Sequence, residues 1–163
     1  MDYAFLGGAQ IDRFGNINST CIGDYQKPKV RFPGSGGAND FASLCWHTMI
    51  MTVHSKTRFV ETCDFVTSPG FLTGDGAREA AGLPEGGPYK IITDLGVMGF
   101  DEKTKAMMIE SLHPGVDVEK VQSETGFELL VSDALGCTEL PTADELRILR
   151  DEVDPLKLVI GRG

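Results

Sequence analysis

The sequence is short of the features that mark several broad classes of protein. It has no apolar run near the ~20 residues that a membrane span needs. The opening Met1–Ala4 lacks the basic region and the long apolar stretch of a signal peptide. Only four cysteines occur, without a C-x-x-C pair, so reduced thiols are favoured over a disulfide framework. Together these absences predict a cytoplasmic protein that does not enter a membrane.

Positive charge is also scarce. The chain has 15 Lys and Arg against 24 Asp and Glu, a net charge of −9 at pH 7. Because a phosphate backbone selects basic surfaces, nucleic acid is not expected to be the main partner. The same imbalance means that an anionic ligand must be held by local donors or by a partner chain.

What is present is the composition of an ordinary globular domain. The chain has 163 residues, of which 41% are apolar and 24% are charged. This length can bury a continuous core, so we expect one domain over residues 1–163.

Apolar patterning predicts strands alternating with helices, and the class this favours is an open α/β sheet. The strand candidates are Ala4–Leu6, Gln10–Ile11, Ile17–Ile22, Thr48–His54, Phe59–Phe65 at an edge, Tyr89–Thr93, Gly96–Phe100, Ala106–Leu112 and Phe127–Val131. The second and third are expected to form a hairpin, and Gly7-Gly8 is expected to make a bulge or a close backbone approach before it. Asp12, Asn16 and Asn18 in and beside its turn are read as turn formers.

Local signals mark two later helices. Asp117 can cap a helix that carries Val118 and Val121. Gly126 then ends it in the position favoured after a C-cap. Thr142–Glu145 is a capping box, and the expected buried face of that last helix consists of Leu146, Leu149 and Val153.

The least regular stretch is 68–88. It carries six glycines and three prolines in 21 positions, which predicts a long surface loop with a helical turn near Ala77–Ala81. Loops of this length inside a compact domain are often functional or bury an interface.

The most distinctive stretch is Gly34-Ser35-Gly36-Gly37-Ala38-Asn39-Asp40. Glycines are followed by an apolar helical spacing, so the chain is expected to turn tightly and enter a helix over about 37–46. Unpaired N–H groups at such a turn suit an oxyanion or a phosphate. Many glycine loops only connect a strand to a helix, and the pattern leaves both interpretations open.

The histidines and remaining cysteines do not define a site by spacing. Cys45 and His47 lie two positions apart at a helix end and would point in different directions, so no metal site is predicted. His54 and Ser55 are adjacent, outside any G-x-S-x-G elbow, and do not predict a nucleophile with its base. On spacing alone, no nucleophile is assigned.

Several motifs, in order, resemble the β-subunit of the family I coenzyme A transferases. The residues of these motifs are most similar to those of the glutaconate-transferring branch. The subunits of a steroid-ring-opening CoA hydrolase are similar at the same places. The likeness covers nearly all of the chain and is carried by Leu6–Asp12, Gly15–Asn18, Gly34–Asp40, Val53–Lys56, Cys63–Thr67 and Val116–Gly126.

This resemblance implies an open, mostly parallel α/β sheet with flanking helices, an α-subunit partner, and acyl-CoA and carboxylate substrates. Coenzyme A would be a substrate, with no permanently bound cofactor. Transfer would be ping-pong, through a glutamyl-CoA thioester. The backbone N–H groups of Gly36 and Gly37 would form the oxyanion hole, and the substrate and CoA site would be lined by Gly34, Ser35, Ala38 and Asn39.

One departure from the family pattern affects the expected chemistry. The family's nucleophilic glutamate lies in a glycine-containing motif on the N-terminal side of the segment that resembles Leu6–Asp12. We therefore expect 1–163 to be an N-terminally incomplete domain that lacks the first strands and this glutamate, and is inactive alone. Alternatives are a subunit of a CoA-thioester-dependent C–C hydrolase and a non-catalytic remnant.

Overall fold

A computed structural model describes residues 1–159, and the last four positions of the expected domain lie outside the described residues. The strands are β1 Tyr3–Leu6, β2 Gln10–Ile11, β3 Ile17–Asn18, β4 Cys21–Ile22, β5 Val30–Arg31, β6 His47–Met51, β7 Pro88–Ile92, β8 Gly96–Phe100, β9 Met107–Leu112 and β10 Leu130–Cys137. The helices are α1 Ala38–Leu44, α2 Ala77–Ala80, α3 Val118–Ser123 and α4 Ala143–Arg147, the last followed by a π-helical turn Ile148–Val153.

The architecture is a mixed α/β fold built on one six-stranded sheet. Its strand order is β1-β6-β7-β8-β9-β10. The β1–β6, β6–β7 and β9–β10 pairs are parallel, and β7–β8–β9 is an antiparallel meander. Two short antiparallel ribbons, β2–β3 and β4–β5, lie outside this sheet. The expected open, mostly parallel sheet is confirmed.

The core lies against one face of this sheet. Ile50, Ile91, Met98 and Ile109 are register partners on successive strands, and all are buried. They belong to a hydrophobic cluster that includes Val121 of α3. The opposite face is less covered, since Tyr3 and Phe5 of β1 are 53% and 63% exposed.

The expected hairpin exists, but its flanks differ from the prediction. Gln10 pairs with Asn18 as expected. The predicted bulge at Gly7-Gly8 is instead the passage from β1 in the large sheet to β2 in a ribbon. A Cβ at Gly8 would lie 2.2 Å from a methyl group of Ile17, so the close approach requires glycine. Ile17–Ile22 divides into β3 and β4 because the Asn18 side chain accepts the backbone N–H groups of Thr20 and Cys21.

Two other strand predictions are wrong in position. Phe59–Phe65 forms no strand, and its backbone pairs with β2 only at a bridge between Phe59 and Ile11. The strand expected at Phe127–Val131 begins only at Leu130, because Phe127 O and Leu129 N are bonded to the side chain of Gln122 instead.

Both capped helices are present, but the buried face expected for the last one is wrong. Asp117 accepts a hydrogen bond from Lys120 N, and Thr142 and Glu145 form the capping box. Leu149 and Val153 are 40% and 68% exposed, and Leu146 is only half-buried. Capping depends on neighbours in sequence, whereas burial needs a packing partner, and no residue of α4 or the π-helical turn is buried.

Helices in the part of the chain that the structure describes are all too short or too polar to cross a membrane.

Candidate functional site

The glycine turn between β5 and α1 has the geometry expected of it. Gly34 and Gly36 have φ of 95° and 51°, a region that favours glycine. The turn is closed by a hydrogen bond of 2.9 Å from Ala38 N to Ser35 O, and Gly37 is the N-cap of α1. The helix ends at Leu44, two residues before the expected end at 46.

Two backbone donors are left open at this turn. Within residues 1–159, neither Gly36 N–H nor Gly37 N–H has a hydrogen-bond acceptor, and both residues are exposed. A Cβ at Gly36 would meet nothing within 4 Å. The α1 helix has only seven residues, so its dipole adds little, and the adjacent free amides are themselves the chemical feature.

The start of the turn is held by a reciprocal contact with Ser19. Gly34 N donates to Ser19 O at 3.0 Å, and Ser19 Oγ donates to Gly34 O at 3.1 Å. Ser19 N in turn donates to Thr67 Oγ1 at 2.9 Å, and that oxygen lies 2.7 Å from Thr20 Oγ1. The start of the turn is thus fixed by these contacts, while the N–H groups of Gly36 and Gly37 remain free.

The end of α1 is held by Arg78, which sequence reasoning missed. The Arg78 side chain is 2% exposed, and its Nη2 donates to Ala42 O and Ser43 O at 2.9 Å each. Nε and Nη1 donate to Pro84 O and Gly70 O. The last carbonyls of a helix have no partner within the helix, and here they accept from the guanidinium. Burial lowers the pKa of Arg78. In the sequence this arginine is indistinguishable from a solvated loop residue.

The 68–88 loop is attached to the β2–β3 turn through Asn16. Asn16 Oδ1 accepts the backbone N–H groups of Gly70 and Leu72 at 2.8 and 3.1 Å. Its own amide Nδ2 donates to Asp12 Oδ2 at 2.8 Å. Burial raises the pKa of the Asp12 carboxyl, and the hydrogen bonds from Asn16 and Phe14 oppose the rise. The predicted turn formers therefore also anchor a distant loop, which contains Arg78.

His54 is part of the core rather than of a catalytic group. Its ring stacks on Phe59 with centroids 4.0 Å apart. Nε2 lies 2.9 Å from Thr125 Oγ1 and Nδ1 lies 3.3 Å from Thr93 Oγ1. Burial lowers the pKa of His54 from 6.5 to about 4, so the imidazole is neutral at pH 7. Ser55 bonds to Thr57 and not to His54.

The six candidate residues of the glycine turn lie together. Ser35 and Ala38 are half-buried, and Asn39 is exposed with its Oδ1 3.4 Å from Ser43 Oγ. Among residues 1–159, no three His, Cys, Asp or Glu side chains are grouped to hold a metal ion. The arrangement can offer hydrogen-bond donors to an anion.

Known proteins match this chain over most of its length. The coenzyme A transferase family model matches residues 1–124, a range that includes the glycine turn. The B-type subunit of glutaconate CoA-transferase from Acidaminococcus fermentans is 50% identical over 153 residues, which are 93% of this chain and 57% of that protein. The cholesterol ring-cleaving hydrolase IpdB subunit of Mycobacterium tuberculosis is 33% identical over 160 residues, 96% of this chain and 62% of that protein.

The fold agrees with a solved structure of the first relative. The crystal structure of glutaconate coenzyme A-transferase from Acidaminococcus fermentans matches with a TM-score of 0.93 and 46% identity. The match covers 99% of this chain and 62% of that chain. The present chain therefore spans about three fifths of the length of the relatives it matches.

Proposed function

The chain belongs to the coenzyme A transferase family, and we propose that it is part of a β-subunit that moves CoA between an acyl-CoA and a carboxylic acid. The observation that carries this proposal is the 50% identity to the B-type subunit of a glutaconate CoA-transferase, joined to a glycine turn whose amides are free. The partner is an α-subunit. CoA acts as a substrate, without a permanently bound cofactor. The four free cysteines suit the reducing cytoplasm, where we place the reaction.

In this proposal the glycine turn stabilises negative charge. When a nucleophile attacks the thioester carbonyl, the oxygen becomes an oxyanion, and the N–H groups of Gly36 and Gly37 donate to it. Gly34, Ser35, Ala38 and Asn39 line the same substrate and CoA site. Preorganised donors contribute most when they do not move during the reaction, and the Ser19 contacts with Gly34 supply that rigidity.

The glutamate that forms the glutamyl-CoA thioester is proposed to come from outside this chain. Several of its glutamates are already paired elsewhere: Glu61 with Arg13, Glu110 with Lys90 and Glu124 with Lys120. No glutamate of the described chain makes a hydrogen bond or ion pair with residues 34–39. Acylating a carboxylate needs it held beside the oxyanion donors, so the chain is expected to be inactive alone.

A second candidate is hydrolysis of a CoA thioester substrate, including cleavage of a C–C bond. It is favoured by the 33% identity to the IpdB subunit of a cholesterol ring-cleaving hydrolase. The two candidates differ in the group that receives the acyl or CoA moiety. A transferase turns over only when a carboxylate acceptor is added, whereas a hydrolase needs only water.

The test is Gly37→Val in the assembled complex with the α-subunit. Gly37 has φ of −84°, which valine adopts, and its new Cβ would lie 3.4 Å from the Phe41 ring. Phe41 is 38% exposed and can move, so the fold should survive while the side chain crowds the amides. We expect CoA transfer to fall by about 100-fold or more, as for loss of an oxyanion donor.

The matched control is Gly136→Val. Gly136 lies on β10 away from the turn, and a Cβ there meets only ordinary contacts at 3.8 Å. Transfer by the control should equal that of the wild type. If Gly37→Val keeps full activity, the oxyanion assignment is wrong. If the wild-type complex transfers no CoA to any carboxylate, the transferase proposal is wrong.

A further inference from the structure

A group of basic and aromatic residues stands beside the glycine turn and has no role in the function proposed above. Tyr25, Lys27, Lys29, Arg31 and Phe65 are called the basic ledge here. Three cations fall within five positions of a chain whose net charge is −9. Such a local excess of positive charge in an acidic protein is a candidate site for an anionic ligand.

The ledge is an ordered platform. The Arg31 guanidinium lies over the Tyr25 ring at 4.7 Å from its centroid, and Nη2 donates to Tyr25 O. The other ring contact of Tyr25 is with Phe65, at 5.2 Å between centroids and 22° between planes. Tyr25 is nevertheless 49% exposed. Arg31 and Phe65 each lie against a face of the Tyr25 ring, so the flat surface left for a purine base is the exposed outer side of the Arg31 guanidinium, which Tyr25 holds in place.

The charges of the ledge are not neutralised by the chain itself. In the part of the chain that the structure describes, ion pairs involve Arg13, Lys90, Lys120 and Arg147 and none of the three ledge cations. The nearest acids in sequence are engaged with other donors. Asp24 accepts the backbone N–H groups of Gln26 and Lys27, and Asp64 accepts from Gln10 and Gly23. The lysine charges therefore remain available to a ligand.

The ledge leads directly into the glycine turn. Arg31 ends β5, and Gly36 follows it five positions along the chain. Even fully extended, five residues span at most about 17 Å. One elongated ligand can therefore reach both places, with a thioester at the turn and an anionic nucleotide at the ledge.

We propose that the basic ledge binds the adenosine 3′-phosphate 5′-diphosphate end of CoA. The purine stacks on the Arg31 guanidinium, which Tyr25 positions, and Lys27 and Lys29 contact the phosphates. This inference rests on the proposed function for the identity of the ligand. It assigns a nucleotide-binding role to residues outside the glycine turn.

The test compares CoA with 3′-dephospho-CoA, which lacks only the 3′-phosphate. Binding of each to the chain is measured by titration calorimetry at low salt. The double variant Lys27→Ala/Lys29→Ala should bind CoA about tenfold more weakly and lose the preference for CoA over 3′-dephospho-CoA. Tyr25→Ala should weaken both ligands by about tenfold, because both carry the purine.

The matched control is Lys103→Ala/Lys105→Ala, which removes the same charge from the β8–β9 turn. It should leave both affinities unchanged, which separates a local contact from the net charge of the protein. The inference is overturned if the wild-type chain binds neither ligand, if it binds both equally, or if the Lys27/Lys29 variant keeps the preference.

CoA transfer by the assembled complex is measured in parallel. If the complex transfers CoA but does not prefer CoA over 3′-dephospho-CoA, the nucleotide-binding role of the basic ledge is refuted and the proposed function stands. If the chain prefers CoA over 3′-dephospho-CoA but the complex transfers no CoA, the role of the basic ledge is supported and the transferase proposal is refuted.

Discussion

Neutral His54 should make the stability of this protein fall in mild acid. Its imidazole is packed on Phe59 and bonded to Thr93 and Thr125. Thr125 Oγ1 uses its single hydrogen on Val121 O, so we infer that Nε2 of His54 carries the hydrogen between them. Nδ1 is then unprotonated and lies 3.3 Å from Thr93 Oγ1, whose hydroxyl also donates to Gly96 O at 3.2 Å. A second proton on the ring would place a charge inside the core.

The size of the effect follows from the pKa. Burial lowers the pKa of His54 from 6.5 to about 4, and the charges of Asp94 and Glu124 oppose the change. Between these values the unfolded chain binds a proton that the native state does not. The stabilisation of the folded state by the neutral imidazole is complete above pH 6.5 and is lost as the pH falls toward 4. The lost free energy of unfolding is about 3 kcal/mol.

The assay is urea unfolding followed by circular dichroism at pH 7, 6, 5 and 4. Carboxyl groups also titrate in this window, so the quantity to compare is the difference between wild type and His54→Gln. That difference should shrink by about 3 kcal/mol from pH 7 to pH 4. If the two proteins lose stability in parallel, His54 is not buried in its neutral form, and the reasoning from its burial fails.

Two further outcomes are expected. Arg78→Met should lower the free energy of unfolding by about 3 kcal/mol, because four backbone carbonyls lose their charged donor and two of these hydrogen bonds are buried. Exposed Arg150→Met should change it by less than about 0.5 kcal/mol, and equal effects of the two variants in urea titrations would contradict this. The isolated chain should self-associate through its uncovered sheet face, on which Tyr3 and Phe5 are exposed, and Phe5→Lys should reduce this in sedimentation experiments; a monodisperse wild-type monomer would count against it.

Predictions that depended on neighbours in sequence agree with the structure. Asp117 and Thr142 cap their helices because the donors they accept are three residues away. The β7–β8–β9 meander was located within one or two residues, since each strand is an apolar run bounded by a turn.

Predictions that needed a distant partner failed or could not be made. Leu149 and Val153 have helical spacing, but spacing does not say whether another element covers them. Arg78 reaches Ala42 across 36 positions, and Tyr25 stacks on Phe65 across 40 positions. No local pattern distinguishes these side chains from solvated ones.

By itself, the sequence determined the glycine turn, the caps and the family. A turn at Gly34 and Gly36 follows from backbone dihedrals that glycine adopts without steric cost, and this is a local property. The tertiary structure alone decided the strand order, the attachment of the turn to Ser19 and the role of Arg78. These depend on which buried donors and acceptors meet after the chain has folded, because an unpaired buried polar group costs free energy.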